Sequence, residues 1–316
     1  MNLKRFGWRC FGMRNKHSVK YPCTMMDHRI KTVFILLLLS VMPFPVSSES
    51  GKPAYKLLTS NATEITFSEL LERASESDMI FFGELHNNAI AHWLQFELGR
   101  ELILDENRNT LLGLEMFEAD QQILIDEYMN GLISQSSFEN EARLWRNYST
   151  DYKPLFEFAR SEGAGIIATN IPRRYASAVY RGGLEALDAL SRAAKQWVAP
   201  LPIEVDLTLP SYASISEAAG GHGGPNLVYA QAVKDATMAH FILLNMRLGD
   251  QMLHLNGSYH SNDREGIIWY IEQKVKGYRI LTINTIEAED IDNVDREILQ
   301  QADITIAVPS TMTRTY

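Results

Sequence analysis

Glu84 and His86 are the two residues of this sequence that are best placed to do chemistry together. They follow Gly83 at the end of the apolar run Met79–Phe82, which is typical of a buried strand that ends abruptly. Because side chains alternate along a strand, the carboxylate and the imidazole are expected on the same side. Such a pair can bind a metal ion or transfer a proton. The alternative is a capping loop whose polar side chains accept hydrogen bonds from a helix N-terminus.

A second segment repeats the pattern of a glycine, two other residues and a histidine. Gly257-Ser258-Tyr259-His260 follows the predicted strand 251–256, and the predicted strand 111–116 carries Glu115 near its end. In each copy the glycine permits a sharp exit from the strand and a close backbone approach to a ligand. Strand ends meet at one edge of an α/β sheet, so two histidines and two carboxylates could converge there. This set suits Zn²⁺ or another divalent ion, and it also suits acid–base chemistry without a metal.

Amphipathic helices alternate with short apolar strands, which predicts an α/β fold with a mostly parallel sheet flanked by helices. The predicted strands cover 79–83, 111–116, 163–169, 251–256, 278–284 and 303–308. Residues 55–66 are predicted to be a polar lead-in. Residues 173–230 interrupt the alternation with helices, prolines and the glycine-rich segment Ala218–Pro225, so a helical cap inserted between the sheet halves is expected there. The glycine-rich segment follows no strand and lacks GxGxxG spacing, which excludes a dinucleotide loop.

Residues 1–48 are predicted to be an N-terminal extension and a signal peptide that are removed. A short basic segment precedes the ten-residue segment 33–42, which is apolar except for Ser40, and two prolines and the small residues Val46-Ser47-Ser48 follow. The apolar run is too short to span a bilayer as a helix. No cysteine follows it closely, so a lipid anchor of the bacterial lipoprotein kind is not expected. We therefore predict one domain over 49–316 in a periplasmic or secreted protein.

Removal of residues 1–48 would leave a strongly acidic chain. Of the 30 basic and 39 acidic residues, eight and one lie in that segment, which leaves 22 and 38 and a net charge of −16. This charge repels nucleic acid and anionic membrane surfaces. Both cysteines, Cys10 and Cys23, lie in the same segment, so neither a disulfide nor thiolate chemistry is expected in the remainder.

Other polar residues are weaker candidates. Asn170 ends the third predicted strand, and Arg173 and Arg174 follow it, where guanidinium groups could clamp a carboxylate or a phosphate or form surface salt bridges. His222 is central in the glycine-rich segment. Gln231 and Asp235 lie on neighbouring turns of a long predicted helix. The sequence contains no HExxH, Walker A or GxSxG motif.

Several segments together resemble the ChaN-type haem-binding uptake family, of the superfamily that also holds the Tiki metalloproteases and the erythromycin esterases. They cover most of 65–285 in order and are FFGELHNN, LGLEMFEADQQ, WRNYSTDYKPLFEFAR, ATNIPRR, AQAVKDATMAHFI and GSYH. The superfamily resemblance implies a core site of Glu84, His86, Glu115 and His260. The family resemblance implies haem binding and a link to iron acquisition. ChaN-like proteins are often lipoproteins, and this sequence departs from that pattern.

Two classes of function follow from the resemblance. As an exported haem-binding protein, the chain would use Tyr148, Tyr152 or His222 as the iron ligand, and packing within a helix is the alternative for both tyrosines. The full set of cofactor-binding candidates is Tyr148, Tyr152, His222, Arg173, Arg174, Asn170, Gln231 and Asp235. The partners considered are haem or another small molecule, a second copy of the chain that helps to enclose haem, and an outer-membrane haem-uptake system.

The second class is a metal-dependent hydrolase of the Tiki or erythromycin esterase type. A divalent ion on Glu84, His86, Glu115 and His260 would polarise a carbonyl group and activate water. Either glutamate would serve as the base, and Arg173 would hold an anionic group of the substrate.

Overall fold

Eight strands form one sheet at the centre of the structure, a computed structural model that describes residues 51–218 and 224–316. The strands are β1 (Lys56–Thr59), β2 (Glu64–Ile65), β3 (Met79–Glu84), β4 (Thr110–Glu118), β5 (Ile166–Asn170), β6 (Gln251–Gly257), β7 (Ile280–Ala288) and β8 (Ile304–Pro309). Their order across the sheet is β2-β1-β8-β7-β3-β6-β4-β5. The six strands from β8 to β5 are parallel, which confirms the predicted fold class.

The antiparallel edge of the sheet was not expected. β1 pairs with β8 and with β2, both antiparallel, so the predicted lead-in at 55–66 is wrong. Leu57 and Leu58 are buried there. The strands have only four and two residues, too few for a recognisable alternation of apolar and polar positions.

The described helices lie on both faces of the sheet. They are α1 (Phe67–Glu76), α2 (Ala89–Leu104), α3 (Gln122–Met129), α4 (Gln135–Glu141), α5 (Lys153–Glu162), α6 (Arg173–Gly182), α7 (Arg192–Lys195), α8 (Pro210–Ala218), α9 (Gly224–Asn245), α10 (Ile267–Lys274) and α11 (Arg296–Leu299). None of those in the described ranges is long and apolar enough to cross a membrane. The predicted signal peptide at 1–48 lies outside these ranges.

The alternation of side chains along β3 explains the two apolar cores. Ile80 and Phe82 pack into a core with residues of α1, α2 and α5, whereas Met79 and Phe81 pack into another with residues of α6, α9 and α10. Strands buried on both faces read as continuous apolar runs, which is why β3 was recognisable in the sequence.

The segment predicted as a helical cap contains α6, α7, α8 and the first part of α9. Ala176, Val179 and Val198 of this segment belong to the same core as Phe81 and Met252. The segment thus packs against the sheet and supplies part of one helical layer. Beyond the predicted end of the segment, α9 carries Gln231 and Asp235 to the sheet edge, where the candidate site lies.

Candidate functional site

The carboxyl ends of three neighbouring strands bring the predicted core residues together. β6 lies between β3 and β4, and Glu84 pairs in register with Gly257. The register between β4 and β5 shifts between Leu114 and Glu118, around Glu115. Such irregularities re-aim side chains and are frequent beside functional sites. Glu84, His86, Glu115 and His260 therefore share one edge of the sheet.

Two glycines make this convergence sterically feasible. A Cβ atom on Gly257 would lie 3.0 Å from Cε1 and 3.1 Å from Nε2 of His86. A Cβ atom on Gly83 would lie 2.7 Å from the carbonyl oxygen of Ile283 on the neighbouring strand. A side chain at Gly83 would therefore clash with the neighbouring backbone, and one at Gly257 would crowd the His86 ring.

The first pair consists of a buried carboxylate and a partly exposed imidazole. Nδ1 of His86 lies 2.9 Å from Oε1 of Glu84, and the His86 side chain is 39% exposed. The Gln95 amide and the Tyr152 hydroxyl also donate hydrogen bonds to Glu84. Burial would raise the pKa of Glu84, but the charge of His92 and the bond from His86 lower it overall. Burial would lower the pKa of His86, but the bond to Glu84 and the nearby carboxylates raise it overall.

A buried polar network holds this pair in place. His92 bonds through Nδ1 to Oε1 of Gln95 at 2.9 Å and through Nε2 to the carbonyl oxygen of His86 at 3.1 Å. The Asn147 amide donates to the same carbonyl oxygen at 2.6 Å and to Asp151. Sequence reasoning named none of these residues as part of the site. The signal was present on α2, where His92 and Gln95 are three residues apart and therefore share a face.

The second pair is buried on both sides. Nε2 of His260 lies 3.2 Å from Oε1 of Glu115, and Nδ1 lies 2.5 Å from Oδ1 of Asp235 on α9. The Gly257 amide donates to Glu115 at 2.7 Å, and the Tyr212 hydroxyl donates to Asp235 at 2.8 Å. Burial would lower the pKa of His260, but the two carboxylates raise it to about 10. Burial would raise the pKa of Glu115, but the charge of His260 holds it well below its ordinary value. His260 is therefore an imidazolium between two carboxylates.

Two cavities open at this edge, and His86 lines both of them. One has a volume of about 400 Å³ and is lined by apolar residues such as Met116, Trp145 and Ile171 and by charged ones such as Lys234. The other has about 570 Å³ and extends over Glu84, Gly257 and His260 towards β7. The rings of His86 and Trp145 meet edge to face with centroids 4.8 Å apart. The accessible part of the site is thus centred on His86.

The residues predicted to bind a cofactor are dispersed. Asn170 and Arg173 line the first cavity, and Arg173 donates to Glu118 at 2.8 Å. Arg174 pairs with Asp120 and stacks on Tyr175. Gln231 contacts His260, so this amide and Asp235 support the second pair from α9. His222 lies outside the described residues.

The two tyrosines predicted as iron ligands are both buried. Tyr148 lies among Phe117 and Phe156, and its hydroxyl has no hydrogen-bond partner among the described residues. Burial raises the pKa of this phenol well above its ordinary value. The Tyr152 hydroxyl donates to Glu84. Neither phenol lines the two cavities, since both rings belong to an apolar core.

The predicted metal-ligand set forms two separate pairs. Within 51–218 and 224–316, no three His, Cys, Asp or Glu residues are grouped as a metal site would require. Both ring nitrogens of His260 already contact carboxylates, so neither offers a free lone pair in this arrangement. His86 has one ring nitrogen held by a carboxylate, is partly exposed and lines both cavities, so its Nε2 atom is the better candidate of the two histidines for binding a metal ion.

Comparison with known proteins places this chain in a family. ChaN of Campylobacter jejuni, solved with cofacially bound haem, is similar with a TM-score of 0.61 and 20% identity over 80% of this chain and 96% of that one. An erythromycin esterase, a mutant of EreC in its open conformation, gives a TM-score of 0.44 and 12% identity over 73% and 77%. A search of curated proteins gave no match. A family model described as "Haem-binding uptake, Tiki superfamily, ChaN" matches residues 70–271, more than half of the chain, and the chain therefore belongs to that family.

Proposed function

We propose that this protein is an exported haem-binding protein, and that haem binds over His86 with Nε2 as the iron ligand. The observation that carries the proposal is the geometry of this histidine. Its Nδ1 atom is bonded to the buried carboxylate of Glu84, and the residue lines both cavities, so Nε2 is the ring nitrogen left for a ligand. Metal-bound histidines almost always donate their other ring N–H to such a partner, which fixes the tautomer and the ring orientation. Membership of a haem-binding family supports haem as the bound molecule.

The shape and chemistry of the first cavity suit a flat apolar molecule with an acidic edge. Met116, Trp145 and Ile171 form the apolar part of its lining, and Trp145 is the most exposed of the three. The two cavity volumes, about 400 and 570 Å³, lie in the usual range of about 300–1,000 Å³ for small-molecule sites. The solved ChaN of Campylobacter jejuni binds haem on the same fold.

Two cations of the first cavity could receive the propionate groups. The Lys234 ammonium contacts the Gln231 amide oxygen at 3.5 Å, and no carboxylate pairs with it among the described residues. Arg173 is 68% exposed on its side chain and shares Glu118 with Arg143, so part of its guanidinium group is available. Haem recognition requires cations for the propionate groups and apolar side chains for the macrocycle, and this cavity has both.

Bound haem would supply the ferric iron, and the chain would supply an imidazole whose orientation is fixed through Nδ1. Glu84 accepts the Nδ1 proton, and Gln95 and Tyr152 hold that carboxylate in the interior. His260 would remain a charged structural group, because both its nitrogens face carboxylates. Nothing among the described residues favours the metal-dependent hydrolase over haem binding.

The proposal includes export from the cytoplasm and a role in haem transport. The signal-peptide pattern within 1–48 is the basis for a periplasmic or secreted location. Haem in so open a pair of cavities would expose one face, which a second copy of the chain could cover. An outer-membrane haem-uptake system is the proposed source or recipient of the cargo. Sequencing the N-terminus of the protein recovered from the periplasm, and sedimentation with and without haem, test the first two points.

Titration with ferric haem, followed by the Soret band, tests the haem site. The wild-type protein should bind haem saturably, and His86→Ala should weaken binding on the order of 10- to 100-fold with a shifted Soret maximum. His240→Ala is the matched control, because His240 is a partly buried histidine of α9 that lines neither cavity. Wild-type affinity and spectrum in His86→Ala would contradict the proposed ligand, and absence of saturable binding to the wild type would contradict haem binding itself.

A further inference from the structure

The segment Arg314–Tyr316 lies across the mouth of the candidate site and is anchored to it. Arg314 pairs with Glu287 at 2.7 Å and forms an isolated β-bridge with Asn88. The Thr315 amide donates to the carbonyl oxygen of Asn87 at 3.0 Å. Asn87 and Asn88 follow His86 directly, so the segment is fastened to the loop that carries the candidate ligand.

A further contact joins the segment to the buried network under His86. The Thr315 hydroxyl donates to Oδ2 of Asp151 at 2.8 Å. Asp151 also accepts a hydrogen bond from Asn147, which in turn donates to the carbonyl oxygen of His86. The position of Thr315 is therefore set by the same buried groups that hold the His86 loop.

This anchoring places Tyr316 where the two cavities meet. Tyr316 lines both cavities, and His86 is the one other residue among their linings that does so. Tyr316 is 56% exposed although its neighbours Arg314 and Thr315 are anchored. An aromatic side chain in this position, with a fixed backbone and much of its surface in solvent, can stack on a flat ligand.

We propose that Tyr316 is a ligand-contact residue, whose ring packs on the macrocycle where the two cavities meet at His86. The inference rests on the proposed haem site and adds a contact to it. The anchored segment fixes the backbone of Tyr316 beside the His86 loop, so binding has only the side chain to order. Offset or edge-to-face packing of the ring on the macrocycle should strengthen binding by about three- to tenfold.

Haem titration of four proteins tests this contact. Tyr316→Ala should weaken haem binding by about three- to tenfold, while Tyr316→Phe should stay within about twofold of the wild type, because the ring and not the hydroxyl makes the contact. Tyr180→Ala is the matched control, since Tyr180 is also about half exposed but lines neither cavity. Wild-type affinity in Tyr316→Ala, or an equal loss in Tyr316→Phe and Tyr316→Ala, would overturn the proposal.

The outcomes separate this inference from the proposed function. If the wild type binds haem and His86→Ala loses it, an unaffected Tyr316→Ala refutes the contact alone. If the wild type does not bind haem, the proposed function fails and the contact fails with it. Amide exchange in the haem-free protein adds a readout of the anchoring, because Thr315 N–H should be protected in the wild type and less so in Thr315→Val. Exchange at the rate of a free peptide in the wild type would refute the preordered segment.

Discussion

His86 and His260 end the same sequence pattern on two adjacent strands, yet their environments are opposite. His86 has one nitrogen on a buried carboxylate and the other towards a cavity, with 39% of its side chain exposed. His260 has a carboxylate on each nitrogen and is 4% exposed. The comparison separates two uses of a carboxylate–imidazole pair. One carboxylate orients an imidazole that remains accessible, and two carboxylates hold the other imidazole as a buried cation.

The difference arises in the residues that follow each strand. After β3 the chain continues through Asn87 to Asn88, whose side chain caps α2, and this leaves His86 at the surface. After β6 the chain enters the short 3₁₀ turn Ser258–His260, and the imidazole is buried beside Asp235 of α9. The same pattern can therefore provide a binding residue or a structural one, according to what packs against it.

The largest effect on stability should come from the buried histidine. His260→Ala would leave Glu115 and Asp235 buried and unpaired, and breaking a buried ion pair costs about 3–5 kcal/mol of unfolding free energy. His86→Ala should cost much less, because its imidazole is partly exposed. Urea unfolding of both variants measures the difference, and equal losses would contradict the contrast between the two sites.

His260 should also make the unfolding free energy depend on pH between about 6.5 and 10. The pKa of His260 is about 10 in the folded protein and 6.5 as the ordinary value, so the folded state holds an extra proton between these values. Its stabilising contribution is complete below about pH 6.5 and is lost as the pH rises through about 10, at about 1.4 kcal/mol per pH unit. His260→Gln should unfold with a flatter profile over this interval, and an unchanged profile would show that His260 is neutral.

At acidic pH, Glu115 should make the unfolding free energy change with pH in the direction opposite to the effect of His260. Its folded pKa is lowered, so its contribution is present above about 4.5 and lost as the pH falls further. Glu115→Gln should weaken the acid dependence of the unfolding free energy. Acid denaturation curves of this variant and of the wild type check the sign, and a steeper acid dependence in the variant would contradict it.

Substitutions of the two buried tyrosines should differ less in unfolding free energy than those of the two histidines. Tyr152→Phe removes a hydrogen bond to the charged Glu84 and should cost about 1.5–3 kcal/mol. Tyr148→Phe removes a buried hydroxyl that lacks a partner among the described residues, so it should be neutral or slightly stabilising. Thermal or urea unfolding compares them directly. A larger loss in Tyr148→Phe, or the loss of haem binding in that variant alone, would support the iron ligand suggested by the sequence.

The central strands and their ends could be predicted because a strand that is buried on both faces appears in the sequence as a continuous apolar segment. β3 and β6 are buried along their whole length, and the glycine that ends each run marks the exit from the sheet. β1 and β2 are too short to show such a segment. Their burial depends on pairing with β8, which lies more than 200 residues further along the chain.

The roles of the site residues depended on contacts between distant parts of the chain. Nothing near His260 in the sequence indicates that Asp235 and Tyr212 enclose it. Tyr148 and Tyr152 are four residues apart and equally aromatic in context, and only the fold shows that one bonds to Glu84 and the other has no partner. Tyr316 carries no motif at all, and its place beside His86 comes from the contacts of Thr315.

The most direct test measures haem affinity and unfolding free energy together in His86→Ala and His260→Gln. The two histidines are predicted to separate these properties. His86→Ala should lose haem affinity while remaining close to wild-type stability, and His260→Gln should lose stability while the fraction that remains folded binds haem with nearly wild-type affinity. If His260→Gln instead abolishes haem binding in a stable protein and His86→Ala leaves binding intact, the assignment of ligand and structural histidine is contradicted.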